Sequence, residues 1–293
     1  MEIKLTGFSC YNIPGWDGTI DVKQFKAYQY KRVGNSGTQS ALFRKLLKVF
    51  KSPVDSPIEL PKELNAGDLA LNDFIQCFVG SVANVTRSRQ KTFICPNPEC
   101  HLENPRGIDI LSVFRPSGPV IPGGKQTDTY EINGEPTPIT VSYTKISDFI
   151  GISEYLNTLF VPVKDEAEYI TKVGGILTKR YGDIFYFEDA EDISDFHQLL
   201  DSEYVMMARC LDIPSLAADI KADDPTGDLQ YLEKKIKWLF QLNGSSTEQY
   251  IKITKLMGDL SPSMNLTYED KCSKCETVIE ENLNPAEYFF DTP

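Results

Sequence analysis

Two pairs of cysteines are the residues of this chain whose types and spacing could do chemistry. Cys95 and Cys100 enclose four residues, and Cys272 and Cys275 enclose two residues near the end of the sequence. Two thiolates at such a spacing can turn back onto one ion, and two such pairs supply the four sulfur ligands of a closed tetrahedral zinc site. The sequence therefore predicts a structural metal site formed by all four cysteines.

Other uses of these cysteines make different demands on the chain. Disulfides are disfavoured because the count of seven cysteines is odd and the first residues do not resemble a secretory signal. A redox CxxC motif would be expected at a helix N-terminus, whereas residues 271–276 stand between predicted strands. An iron–sulfur cluster is the alternative to zinc, and His101, which is expected to be an exposed neighbour of Cys100, could replace one sulfur ligand.

Short β-strands are expected to position both cysteine pairs. Residues 91–94 and 264–268 favour strands that lead into the first and second pair, and residues 278–283 favour a strand that leaves the second pair. This arrangement is typical of the two knuckles of a zinc ribbon. A metal shared between them would hold the end of the chain to a point one third along it. Structural zinc contributes on the order of 10 kcal/mol, which exceeds the loop-closure cost because that cost grows only logarithmically with length.

Composition limits the functional classes. A net charge of −12 and a pI near 4.8 argue against non-specific binding to nucleic acid. Two histidines, His101 and His197, leave little material for imidazole catalysis, and the loop carboxylates are expected to be solvated. No apolar run approaches the roughly 20 residues that a membrane helix needs. We expect no enzyme activity, because a metalloenzyme would need water in place of one cysteine and a general base that the sequence does not supply.

The elements predict an α+β fold, mostly helical in its middle and C-terminal part, with small β elements and a two-knuckle, zinc-ribbon-like metal site. Three segments are expected: 1–62 with strands and a helix, 63–146 with the first knuckle and a hairpin insertion, and 147–293 with helices and the second knuckle. The metal would join 63–100 to the last segment as one compact unit.

The pattern of apolar residues predicts the individual elements. In the first segment, strands are predicted at 3–5, 19–23 and 27–33, followed by a helix at 40–51 with a basic face (Arg44, Lys45, Lys48) and a linker at 52–61. In the second segment, a helix capped by Asp68 is predicted at 69–82, and a hairpin with an Asn133-Gly134 turn is predicted at 128–143. Five helices are predicted at 147–160, 165–181, 195–211, 228–242 (capped by Asp228) and 246–260.

Two surfaces each have two possible roles. The basic face of the helix at 40–51 is either solvated or binds an acidic partner. The aromatic residues Tyr288, Phe289 and Phe290 pack either onto the ribbon or into a partner subunit.

The order of these motifs resembles the T-even-type baseplate hub proteins of contractile-tailed phages. The residues that carry the resemblance are Gly67-Asp68 before a helix, Cys95, Cys100, Cys272 and Cys275, and then Pro285, Phe289 and Phe290. The first pair encloses four residues where a tighter CPxC is usual in that family. The resemblance implies a structural protein of the virion tail baseplate, assembled in the host cytoplasm as part of a large hetero-oligomer with other hub and tail proteins.

An alternative function is that of a zinc-ribbon accessory protein in nucleic-acid machinery. Such a protein needs a basic, aromatic-studded surface. The sequence offers two candidates, the helix face with Arg44, Lys45 and Lys48, and the strand region with Arg87, Arg89 and Lys91.

Overall fold

A computed structural model gives the fold and describes most of the chain. The described residues are 4–10, 18–34, 36, 39–62, 64–83, 88–109, 115–116, 124–132, 135–221, 224–260, 264–265 and 267–283. They combine helices and strands, in agreement with the predicted α+β class. No helix among them is both long enough and apolar enough to cross a bilayer.

The chain divides into two compact units. Unit 1 consists of Met1–Val120 and Pro262–Pro293, and unit 2 consists of Ile121–Ser261. Unit 2 is therefore inserted in sequence between two parts of unit 1, and both cysteine pairs belong to unit 1. The segments predicted from the sequence, 1–62, 63–146 and 147–293, do not coincide with the boundaries of these two units.

Unit 1 holds short strands and three helices among its described residues. In chain order they are β1 (Lys4–Cys10), β2 (Gly18–Lys23), α1 (Ala27–Gly34), α2 (Gln39–Phe50), β3 (Ile58–Glu59), a 3-10 turn (Ala66–Asp68), α3 (Leu71–Ala83), β4 (Ser88–Ile94), β5 (Glu103–Asp109), β6 (Arg115–Pro116), β10 (Met264–Asn265), β11 (Thr267–Lys271) and β12 (Val278–Asn282). Strands β1, β2 and β3 form one antiparallel sheet, and β6 pairs with β10.

The helical part of unit 1 is held by aromatic side chains. The predicted apolar stripe of α2 is confirmed, since Phe43 and Phe50 are buried and both contact Phe74 of α3 ring to ring, at 6.0 and 4.9 Å between centroids. Phe25 lies edge-on against Phe50 and Phe78. Of the basic face predicted on α2, Lys48 is exposed, whereas Arg44 and Lys45 are partly buried.

The strand predicted at 27–33 is wrong, because these residues form helix α1. The alternation of Tyr28, Gln29 and Tyr30 indicated a strand, but Gln29 acts as a helix N-terminal residue. Its side-chain oxygen accepts a hydrogen bond from the backbone N–H of Lys26 at 2.8 Å, the return half of a capping box. Its amide nitrogen donates to the carbonyl oxygen of Asp55, which holds the helix start in place.

Two further local predictions in unit 1 concern the start of helix α3 and the segment 52–61. The helix predicted at 69–82 is α3, Leu71–Ala83, and a 3-10 turn that ends at Asp68 precedes it; the side chain of Asn65 caps that turn by accepting from the N–H of Gly67 at 3.0 Å. The cap by Asp68 stays a prediction. The predicted linker at 52–61 contains strand β3, because Ile58 is buried and pairs with Val22 of β2.

Unit 2 is a helical body against a small sheet. Its described elements are β7 (Lys125–Ile132), β8 (Glu135–Ser142), α4 (Ile146–Leu159), α5 (Glu166–Glu168, Tyr169–Gly174 and Gly175–Tyr181 in succession), α6 (Ala190–Leu199, Leu200–Tyr204 and Val205–Cys210 in succession), β9 (Leu211–Asp212), α7 (Pro214–Ala217), α8 (Gly227–Ser245) and α9 (Thr247–Leu260). The middle segments of α5 and α6 are π-helical.

The predicted hairpin and all five predicted helices of this region are confirmed, with α6 beginning at Ala190, earlier than expected, because Asp189 caps it. The hairpin turn at Asn133-Gly134 lies outside the described residues. The predicted cap by Asp228 is wrong, since the residue before α8 is Thr226 and no side chain caps the helix. The core is built from side chains such as Tyr181, Phe196, Leu239 and Ile253, all fully buried.

Candidate metal centre

Both cysteine pairs lie in turns of antiparallel hairpins in unit 1. Strand β4 pairs with β5 in a continuous register from Ser88–Asp109 to Ile94–Glu103, and Cys95 and Cys100 stand in the connection. Strand β11 pairs with β12 from Thr267–Asn282 to Lys271–Val278, and Cys272 and Cys275 stand in that connection. Strands thus lie on both sides of each pair, and each hairpin presents two thiols at one end. The residues predicted as one strand at 264–268 fall in two strands, β10 and β11, which pair with different partners.

Side chains from the two hairpins contact each other. The rings of Phe93 on β4 and Tyr268 on β11 are stacked, with centroids 4.7 Å apart and planes 9° from parallel. Lys91 forms an ion pair with Glu281. These contacts align the hairpins side by side, so that their cysteine turns lie at the same end.

A second ion pair reinforces this alignment. Arg106 of β5 donates from Nε to the carboxylate of Asp270 on β11 and from an outer guanidinium nitrogen to the carbonyl oxygen of Lys271 at 3.1 Å. These contacts involve the two residues immediately before Cys272. They fix the position of the second cysteine turn along the direction of the β4–β5 strands.

The four sulfur atoms form one cluster. All four Sγ atoms lie within 4.8 Å of one another. The Sγ distance is 3.5 Å between Cys95 and Cys275 and 3.8 Å between Cys100 and Cys272. Four sulfurs placed about 2.3 Å from one zinc ion in a tetrahedron are about 3.8 Å apart. Cys95 and Cys272 are buried, Cys100 and Cys275 are partly exposed, and the arrangement can hold a metal ion.

Backbone N–H groups point at every one of the four sulfurs. Each cysteine receives a hydrogen bond from the N–H of the residue two positions later; the donors are Asn97, Leu102, Lys274 and Thr277. Such donors stabilise a thiolate and thereby favour the form that binds a metal. The turns thus supply four thiols and an electrostatic environment that suit a metal ion.

The two cysteine turns share one backbone design. The N–H of Cys95 donates to the carbonyl oxygen of Leu102, and the N–H of Cys272 donates to that of Thr277, both at 2.9 Å. The first turn closes over two more residues than the second, which matches its two additional residues between the cysteines.

The residue after the second cysteine has positive φ in both turns, 42° at His101 and 57° at Glu276. Glycine is the residue that adopts this left-handed region without steric cost. The His101 side chain is exposed and is not part of the sulfur cluster.

The thiols differ in acidity. Hydrogen bonds from the backbone N–H groups of Lys274 and Cys275 lower the pKa of Cys272 to about 6. The side-chain and backbone groups of Thr277 lower the pKa of Cys275. Burial raises the pKa of Cys95 to about 12. Sulfurs in contact cannot all become thiolates without a cation, because like charges at such distances repel strongly.

Sequence reasoning missed Asn104, which links the two hairpins beside the sulfurs. Its side chain is fully buried on β5. The amide nitrogen donates to the carbonyl oxygen of Leu102 at 2.8 Å and lies 3.7 Å from the sulfur of Cys272. The amide oxygen accepts from the backbone N–H and the hydroxyl of Ser273, at 3.0 and 3.1 Å. The sequence signal that could have indicated this role is the position of Asn104, a polar residue at an inward-facing position of the strand that follows the first cysteine pair.

The other predicted features fall away from this cluster or outside the described residues. Cys77 and Cys210 are buried separately. Arg87 and residues 284–293, including Pro285 and the aromatic residues at 288–290, lie outside the described residues, and the side chain of Arg89 is not described. Lys91 is engaged in its ion pair with Glu281.

Comparisons of the chain with protein family models, curated proteins and solved structures find no match.

Proposed function

We propose that the four-cysteine cluster binds one zinc ion, in a closed structural site of the zinc-ribbon type. The single observation that carries this proposal is the convergence of four sulfurs within 4.8 Å, contributed by two hairpins of like design. Zinc neutralises the thiolates and fastens the hairpins together. Four sulfur ligands leave no open coordination position for a substrate, so the role of the site is to hold the fold.

The spacing of the sulfurs supports a single ion over an iron–sulfur cluster. In a cluster each cysteine binds a different iron atom or shares an iron with one other cysteine, and the bridging sulfides separate the cysteine sulfurs further. Here all four Sγ atoms lie within 4.8 Å of one another, including those that a cluster would place on different iron atoms. These distances suit four ligands of one tetrahedral ion.

Elemental analysis of the purified chain tests the zinc proposal. We expect one zinc per chain after expression in medium that contains both zinc and iron, and no absorption band from iron–thiolate charge transfer. A chain that carries iron in place of zinc, or that contains no metal while its hairpins remain folded, would contradict the proposal.

We further propose that the chain is a structural subunit of a contractile phage tail baseplate, at or near the hub, where it holds neighbouring hub and tail subunits in a hetero-oligomer. The resemblance of Gly67-Asp68 and the four cysteines to the hub family supports this role, as does the acidic composition. The structure adds a supporting observation. Two cations of the paired hairpins, Lys91 and Arg106, are each neutralised by a carboxylate, which disfavours the use of these two side chains on nucleic acid.

Two measurements test the baseplate role. Mass spectrometry of purified virions and of isolated tails should detect the chain in both, and co-expression with the hub proteins of the same genome should yield a complex that survives size-exclusion chromatography. Absence of the chain from tails, together with DNA or RNA binding that weakens steeply with salt, would overturn this role in favour of the nucleic-acid accessory function. The metal measurement is independent of this result.

A further inference from the structure

Unit 2 contains a cavity of about 470 Å³ among helices α4, α6 and α8. Asp148 of α4, Arg209 of α6 and Lys235 of α8 line it, together with Tyr155 and Leu232. Its volume falls within the range of small-molecule sites, about 300–1,000 Å³. Neither the metal site nor the proposed baseplate role uses this cavity.

Lys235 is a buried cation without a carboxylate partner. Its side chain is 7% exposed, and among the described residues its one hydrogen-bond acceptor is the carbonyl oxygen of Leu211 at 2.8 Å. The ammonium group also lies 4.4 Å from the centre of the Tyr231 ring. An ammonium group has three donors, and burying its charge without an anion is costly. Burial accordingly lowers the pKa of Lys235 to about 8.

Arg209 is a second, incompletely paired cation on the same cavity. One guanidinium nitrogen donates to the carbonyl oxygen of Gly151 at 3.1 Å. Another lies 3.9 Å from the carboxylate of Asp148, beyond hydrogen-bond length. Its Nε is buried and has no hydrogen-bond partner within the described part of the chain. Glycine at 151 allows this approach, since a Cβ there would lie 2.6 Å from the guanidinium carbon.

We propose that this cavity binds a small molecule with one carboxylate group, which Arg209 and Lys235 hold, and a compact apolar body, which lies against Tyr155 and Leu232. Two cations and three carboxylates line the cavity, but among the carboxylates only that of Asp148 is partly buried beside the cations; the other two are exposed to solvent, which screens their charge. A guanidinium group binds a carboxylate through two parallel hydrogen bonds. The bound carboxylate would supply the anion that Lys235 lacks.

Further charges on the cavity restrict the class of ligand. Glu154 and Asp228 also line it, and both are acidic and exposed. A dianion such as phosphate, or a nucleotide, would be repelled by these carboxylates. A monocarboxylate brings the single negative charge that the two cations can neutralise and adds no second charge near the acidic side chains.

Isothermal titration of the zinc-loaded full chain with benzoate at pH 7 tests the proposal. We expect saturable binding with a Kd below about 10 mM, and at least about tenfold weaker binding of benzyl alcohol, which lacks the carboxylate. Phosphate should bind more weakly than benzoate. Absence of saturable benzoate binding, or equal binding of benzyl alcohol or phosphate, would overturn the proposal.

Two variants and one control locate the binding. Lys235→Met removes the buried ammonium and Gly151→Ala displaces the guanidinium of Arg209, and each should weaken benzoate at least about tenfold. Lys237→Met serves as the control, because Lys237 lies on the same helix and pairs with Asp183, and it should bind benzoate as the wild type does. Benzoate affinity that is unchanged in both test variants would refute the assignment.

The pH dependence of the unmodified chain gives a readout that needs no variant. Affinity should fall between pH 7 and pH 9, because Lys235 loses its proton in that range. The charged or titratable groups around it are Asp148, Arg209, Cys210, Asp212 and Tyr231. The pKa values of Cys210 and Tyr231 are both raised to about 12 by burial, so neither titrates in this window. Affinity that is constant from pH 7 to pH 9 would contradict the role of Lys235.

Discussion

The Sγ atoms of Cys95 and Cys275 lie 3.5 Å apart, although 180 residues separate the two cysteines in the chain. The intervening sequence contains the whole of unit 2, Ile121–Ser261. A metal ion at this point would join the two parts of unit 1 that flank the insertion. The entropy cost of such a closure rises only as the logarithm of its length, so a structural zinc contribution on the order of 10 kcal/mol exceeds it.

Loss of either cysteine pair should release the metal. Cys95→Ser and Cys272→Ser each leave three thiolates, and we expect zinc content to fall from one per chain to less than about one tenth after dialysis against a mild chelator, because a neutral hydroxyl is a poor zinc ligand. Stability should drop by several kcal/mol, up to about the 10 kcal/mol of a structural site. Elemental analysis and urea unfolding measure both effects.

The control for this experiment is Cys210→Ser. Cys210 is a buried cysteine of unit 2 whose sulfur lies 3.4 Å from the hydroxyl of Thr144. This variant changes the same atom type and should retain one zinc per chain. If either Cys95→Ser or Cys272→Ser keeps its zinc, the two cysteine pairs do not share one ion.

Asn104→Ala should destabilise the chain by about 1–3 kcal/mol, because it removes the side-chain oxygen that accepts from the N–H and the hydroxyl of Ser273 and one of the two donors to the carbonyl oxygen of Leu102. It also removes the amide group beside the sulfur of Cys272. Zinc should therefore be lost to a chelator faster than from the wild type. A competition assay with a chromogenic chelator measures the rate. The exposed Asn157→Ala is the control, and equal release rates in the two variants would exclude a role for Asn104 at the site.

Glycine at either left-handed position should stabilise unit 1. Glu276→Gly relieves a non-glycine residue at φ 57°, a strain of roughly 1–2 kcal/mol, offset in part by the greater entropy of glycine in the unfolded chain. We expect a net gain of about 0.5–1 kcal/mol, while Glu276→Val should lose stability. His101→Gly, at φ 42°, should act in the same direction. Thermal unfolding measures these changes, and a loss of stability with glycine at both positions would show that the turns are not strained.

Each cysteine pair was predictable as a candidate pair of ligands because cysteine spacing within a turn is a local property. Two sulfurs separated by two to four residues can reach one ion whatever the rest of the chain does. The long amphipathic helices of unit 2 were also predictable, since their apolar residues recur with helical period. The strand predicted at 27–33 failed for a local reason, because the Lys26–Gln29 hydrogen bond outweighed an alternating pattern only a few residues long.

What the sequence could not supply were relations between distant residues. The insertion of unit 2 between the cysteine pairs, the stacking of Phe93 on Tyr268 and the contact of Asn104 with the second cysteine turn depend on packing. Local propensity carries no information about which hairpin lies beside which. The cavity with Arg209 and Lys235 was hidden for the same reason, since a lysine within a helical pattern is ordinarily an exposed residue.

His197 should make the stability of unit 2 fall in mild acid. The imidazole is stacked on Phe160 with ring centroids 3.8 Å apart, and burial lowers its pKa, although nearby Asp201 opposes the shift. The unfolded chain therefore binds a proton near pH 6.5, where the folded chain does not. The stabilising contribution is present above that pH and is lost as pH falls through the folded pKa. Urea midpoints at pH 7.5 and pH 5.5 should differ more in the wild type than in His197→Phe, which keeps the stacked ring without the titrating group. Equal differences in the two proteins would show that His197 does not titrate with folding.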